Sequence, residues 1–211
     1  MFYDTQAHEH GLPHDPFKAI VAPRPIGWIS TISAAGHVNL APYSFFNAIS
    51  SRPDLVMFSS EGVKDSVKNV RETKEFVANY ASHELADEIN MTSAPAPHGM
   101  NEFQIAGLEE VPSKLVRPPR VAEALAALEC KFVQEVELKD IDGNSADSFM
   151  IIGQVVGVYI DDRAIKDGKF DVNIARPMAR LGYRDYHGPS GYFEMTRPDW
   201  DGVSGEGSRK S

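Results

Sequence analysis

Two clusters in this sequence carry residue types that could do chemistry together. Pro23-Arg24-Pro25 stiffens the chain and presents a guanidinium just before a strand-like run. Lys64-Asp65-Ser66 opens a helix-like run, where free backbone N–H groups, the helix dipole, a hydroxyl and an ammonium suit a phosphate. Between them lie small hydrogen-bonding side chains, Ser30, Thr31, Ser44, Asn47, Ser59 and Ser60, and the aromatic faces of Trp28, Tyr43, Phe45 and Phe46. A planar ring system with polar edges and a terminal phosphate would suit this set. Each feature alone also fits a plainer reading, with Arg24 as a surface charge and Lys64 on a solvated helix end.

Other candidates are weaker. His8, His10 and His14 suggest a metal site, but they fall in a polar arm and lack the carboxylate or carbonyl support that metal-binding histidines use. No metal site is expected. Cys130 falls on the apolar side of an alternating strand and reads as core rather than nucleophile. A Gly-x-Gly-x-x-Gly fingerprint, a P-loop and a Gly-x-Ser-x-Gly elbow are all missing.

The elements that must position these residues are mostly short strands. Ile26–Ser33, Val38–Ser44, Phe45–Ser50, Leu55–Ser60 and Phe76–Tyr80 are rich in β-branched and aromatic residues between turn signals. Gly36 suits the first turn, and Pro42 predicts an edge, a bulge or a site opening. Leu128–Leu138 alternates, with Glu129, Lys131, Glu135 and Glu137 on the wet side, and pairs with Phe149–Ile160 as a long hairpin through Asp142-Gly143-Asn144. Helices are expected over Asp65–Glu75, with Asp65 or Ser66 as N-cap, over Ser82–Met91, and over Val121–Ala126. Residues 1–14 read as an arm, 15–186 as one domain, and 187–211 as an extended, disordered tail rich in Gly, Ser and charge. The fold class is all-β-dominated, β with a few short helices.

The chain has 211 residues, enough for one domain with a sizeable core. A net charge of −9 argues against nucleic-acid binding. No run is long and apolar enough for a membrane span. A single cysteine and the lack of a secretory signal at the start fit a cytoplasmic location.

The run from Pro23 through Ser33, then Gly36 through Asn47, strongly resembles the flavin reductase-like, FMN-binding split-barrel family. That family includes flavoredoxin-like proteins and the reductase components of two-component monooxygenases. Further matching motifs follow in order: Lys64-Asp65-Ser66 with Asn69, Asn101-Glu102-Phe103 before Ala106-Gly107-Leu108, Pro119-Arg120-Val121, Leu128-Glu129-Cys130, and Ile152 through Val156. They span about residues 15–186.

The resemblance implies a split β-barrel that forms a homodimer with FMN near the subunit interface. Tyr43, Ser44, Phe45, Phe46 and Asn47 would lie along the isoalloxazine ring. Ser30 and Thr31 would face the ribityl chain or phosphate, and Lys64, Asp65 and Ser66, with Arg24, would hold the phosphate. Ser60 joins this set, and Trp28 stays open between ring contact and packing. The loop from His98 through Asn101 to Phe103 would approach the open flavin face as a substrate contact. Asn101 departs from the Asp or Ser often found before Glu-Phe in the family, which bears on nicotinamide contact. The implied activity is NAD(P)H-dependent reduction of FMN by hydride transfer to flavin N5, with no protein side chain as nucleophile. A partner monooxygenase could receive the reduced flavin. The alternatives are a flavoredoxin-like electron carrier with tightly bound FMN, or a non-catalytic flavin sensor. Whether NADH or NADPH serves is not legible.

Overall fold

The computed structural model describes residues 1–7 and 9–189. His8 and most of the expected tail lie outside the described residues. Seven antiparallel strands form one sheet in the spatial order Val38–Tyr43, Gly27–Ile32, Glu75–Tyr80, Ala126–Lys139, Ser145–Ile160, Asp54–Glu61, Phe46–Ser51. The two edge strands are consecutive in the chain, joined only by Ser44 and Phe45. That short link forces the sheet to curl until its edges meet, although no ladder joins them. The result is a split β-barrel. Tyr43 packs on Phe58 with ring centroids 4.8 Å apart, and Phe58 meets Phe76 edge-on at 5.4 Å. These rings cross the core with Ile29, Val56, Val67, Val70, Cys130 and Ile151.

Pro42 lies on an edge strand, opposite Trp28, where its missing N–H costs no inner ladder bond. The long hairpin forms as the alternation predicts. Its turn is fixed by Asp140, whose carboxylate accepts from the N–H groups of Asp142 and Asn144, and by Gly143 at φ 86°.

Four local expectations need correction. The helix Asp65–Thr73 has Lys64 in the N-cap position, with no side-chain cap bond from Asp65 or Ser66. It stops at Lys74, whose left-handed φ of 61° releases Glu75 into the next strand. The helical stretch expected over Ser82–Met91 divides into a 3₁₀ turn, His83–Leu85, and a short helix, Ala86–Met91. No helix forms over Val121–Ala126. Val121 instead ends a short strand, Arg120–Val121, paired with Glu110–Val111, and its N–H goes to Asn79 Oδ1 at 2.9 Å. Glu129 is buried rather than wet, because the 113–117 loop folds over it and donates from the Lys114 and Leu115 N–H groups at 2.9 and 2.6 Å.

No helix among the described residues is long and apolar enough to cross a membrane.

Candidate functional site

A cleft of about 500 Å³ opens where the two sheet edges meet the start of the Asp65–Thr73 helix. That size suits a small-molecule site. One wall is the chain from Asn39 to Phe45 with Ser59. A second is Lys64, Asp65 and Ser66, and the 92–98 loop forms the third. The sheet closure therefore brings Tyr43, Ser44 and Phe45 against Lys64, Asp65 and Ser66, some twenty residues further along the chain.

Charge around this cleft is unevenly paired. Lys18 pairs with Glu61 at 3.3 Å and also lies 5.5 Å over the Phe45 ring. Asp65 takes His98 Nδ1 at 2.8 Å and Lys68 Nζ at 3.3 Å. Burial pushes the Asp65 carboxyl up, but hydrogen bonds from His98 and Lys68 outweigh it and hold the group below its ordinary value. Its negative charge is thus turned toward those partners. Among the described residues Lys64 has no ion pair, so it is the cleft cation left for an anionic ligand.

The polar floor is ordered before any ligand arrives. Asn39 Nδ2 donates to Ser66 Oγ at 3.0 Å, leaving the serine proton for another acceptor. Glu102 is 9% exposed and accepts the Leu40 N–H at 2.9 Å. Its burial, the largest effect, raises the carboxyl above its ordinary value, Asp65 adds to this, and the Leu40 bond partly offsets it. Tyr43 is 7% exposed, and burial likewise raises its phenol. Its hydroxyl has the Ser60 and Ser66 hydroxyls as neighbours, yet it completes no hydrogen bond with either. A buried hydroxyl without a partner is costly, and this one lies behind the cleft wall, sealed from solvent. The cleft thus offers a cation and small polar groups beside aromatic faces, a donor set that fits a flavin nucleotide.

Of the remaining sequence candidates only His98 lies on the cleft. Arg24 is buried and spends its guanidinium on the carbonyls of Lys18, Val21 (2.6 Å) and Leu181 (2.8 Å), away from the helix start. Trp28 is fully buried and donates to Thr92 Oγ1 at 2.9 Å, which makes it packing that anchors the loop wall. Ser30 donates to the Pro119 carbonyl at 2.5 Å, and Thr31 accepts from Asn69 at 3.0 Å, so both hydroxyls serve the interior. Ser60 points to the opposite face from cleft-lining Ser59 and donates to the Gly62 carbonyl at 2.9 Å. Phe46 packs on Gly27, and Asn47 is exposed, accepting the Ala48 N–H. His98 reaches the cleft. Asn101 caps the helix Glu102–Ala106 through the Phe103 N–H, and Phe103 is fully buried. Asn39 and Glu102 also line the cleft. Their motifs carry them, but only the fold shows that they face a cleft. Cys130 is fully buried, and desolvation raises its thiol far above the ordinary range, as a core residue requires.

Residues 21–185 match the family described as Flavin reductase like domain. An uncharacterized protein of Aquifex aeolicus is 40% identical over 174 residues, covering 79% of this chain and 85% of its own. Among solved structures, nitrilotriacetate monooxygenase component B from Bacillus cereus superposes with a TM-score of 0.85 at 25% identity, covering 92% of this chain and 98% of its own. Pseudomonas fluorescens 2-nitrobenzoate 2-nitroreductase gives 0.78 at 25% identity and 93% coverage of both chains. The barrel, its cleft and these likenesses agree, and the chain belongs to the flavin reductase-like domain family.

Proposed function

We propose that this protein binds FMN in the 500 Å³ cleft and is an NAD(P)H-dependent flavin reductase. The observation that carries this reading is the meeting of Tyr43-Ser44-Phe45 with the unpaired Lys64 and the poised Ser66 in one cleft. Bound FMN would supply the hydride-accepting ring. The chain's own residues bind and orient. Lys64 and Ser66, with backbone N–H groups at the helix start, hold the phosphate. Asp65 contributes its N–H there, while its carboxylate stays with His98 and Lys68. Tyr43, Ser44 and Phe45 line the ring, and the 92–98 loop limits water at one side.

The chain acts as a homodimer in this reading. A second hollow, about 470 Å³ and lined by Pro23, Ile26, Phe46, Leu128 and Met178 among others, offers an apolar face for a second copy. Similarity to a monooxygenase component supports delivery of reduced flavin to a partner oxygenase. Titration with FMN, followed by flavin fluorescence, tests the binding step. Saturable one-to-one binding per chain is expected, and emission unchanged from free FMN would refute it.

A further inference from the structure

A smaller hollow of about 260 Å³ adjoins the flavin cleft and shares Lys18, Pro42, Ser44 and Ser93 with it. Its far wall holds Arg24, Arg180, Tyr183 and Tyr186, no carboxylate lines it, and Lys18 at its rim is paired with Glu61 of the neighbouring cleft, so the excess charge is the arginines'. In a chain of net charge −9 this is a local reversal of sign.

The reversal is built into the backbone. Arg24 and Arg180 are direct cross-strand partners in the short antiparallel pair Arg24–Pro25 with Ala179–Arg180. Like charges placed directly opposite each other destabilise a strand pair. Burial, and then the Arg180 charge, hold the Arg24 guanidinium below its ordinary value. Arg24 is committed to three carbonyls and forms a fixed wall. Arg180 is not. It gives one N–H to the Tyr183 carbonyl and lies 4.4 Å over the Tyr186 ring. Its other N–H groups have no protein partner among the described residues. A guanidinium stacked on a ring keeps its fork rigid and ready for an oxyanion.

We propose that Arg180, backed by Arg24, is a second anion subsite that binds the phosphate or carboxylate group of the molecule reacting with the flavin. The subsite is separate from the Lys64–Ser66 phosphate end. Only the identity of that molecule as a flavin substrate rests on the function proposed above.

Isothermal titration of the full chain with inorganic pyrophosphate tests this, in a Lys64→Ala/Ser66→Ala background that silences the other phosphate end. Binding that persists there, weakens with added salt, and falls about tenfold or more with Arg180→Gln is expected. Benzoate is the second arm. Binding of benzoate that Arg180→Gln removes, with none for pyrophosphate, assigns the subsite to carboxylates, and the reverse assigns it to phosphates. Should Arg180→Gln fail to fold, Arg180→Lys keeps the charge without the fork and is expected to weaken binding at least threefold. Either anion binding equally well with and without the Arg180 fork, or neither binding at all, overturns the proposal. FMN affinity of the Arg180→Gln single variant should stay within about twofold of the parent, and a parallel loss would mean one site rather than two. Failure of the parent chain to bind FMN would sink the flavin reading while leaving the anion result intact.

Discussion

Asn39 Nδ2 and Ser66 Oγ lie 3.0 Å apart, joining an edge strand of the barrel to the first turn of the helix that starts at Asp65. Asn39 is 8% exposed and Ser66 1%. The bond ties the cleft's strand wall to its helix wall and leaves the serine proton for another acceptor. Binding energy then need not be spent on ordering these groups.

The first prediction follows from that bond and from the unpaired ammonium beside it. Lys64→Ala with Ser66→Ala should weaken FMN binding by roughly 3–6 kcal/mol, at 1.5–3 kcal/mol for each charge-assisted contact. Fluorescence titration measures it. Unchanged affinity in the double variant would place the phosphate elsewhere.

Arg24 should behave differently. Its fork ties the nearby Lys18 and Val21 carbonyls to that of Leu181, 157 residues away. Arg24→Lys cannot reach all three, so the melting temperature should fall, with a cost of about 2–4 kcal/mol. FMN affinity of the folded variant should change little. A large loss of flavin affinity at unchanged stability would return Arg24 to the phosphate site.

Glu102 gives a pH signature. Its folded carboxyl lies above the ordinary value of 4.5, chiefly through burial, so the folded state binds the proton more tightly than the unfolded chain. Stability should therefore decline as pH rises above about 4.5 through the folded value. Glu102→Gln keeps an oxygen for the Leu40 N–H but carries no charge. The variant should gain on the parent in thermal denaturation near pH 7–8 and lose that advantage near pH 4. A pH-independent difference would contradict the assignment.

Gly153 lies where the hairpin register shifts, under the Phe76 ring. A Cβ there would overlap that ring, which is fully buried and cannot swing out. Gly153→Ala should destabilise by about 1–3 kcal/mol or more. Urea denaturation is the check, and wild-type stability would show that the core has slack.

The legible parts of the molecule were those written in local pattern. Ile29, Val77 and Cys130 mark buried strand positions by their own chemistry, and Pro42 marks an edge. The Tyr43–Phe45 and Lys64–Ser66 runs are each contiguous, so their meeting in one cleft needed only the closure of the sheet. Other roles depend on partners distant in sequence. Arg24 is read as a phosphate ligand until the Leu181 carbonyl, 157 residues away, is seen to hold it. Glu129 alternates like a wet residue until the 113–117 loop covers it. Ser59 and Ser60 are alike in sequence, and only the strand's facing directs one to the cleft and the other to Gly62. Glu102 gains its site role from Leu40, 62 residues away.

The most direct test of the account is an anaerobic visible spectrum of the protein with one equivalent of FMN, recorded before and after NADH and, separately, NADPH. The account predicts a perturbed, bound flavin spectrum whose bands bleach far faster than in a protein-free control with at least one of the two nucleotides. A bound flavin that stays oxidised with both would contradict the reductase reading, and a spectrum identical to free FMN would contradict the cleft assignment itself.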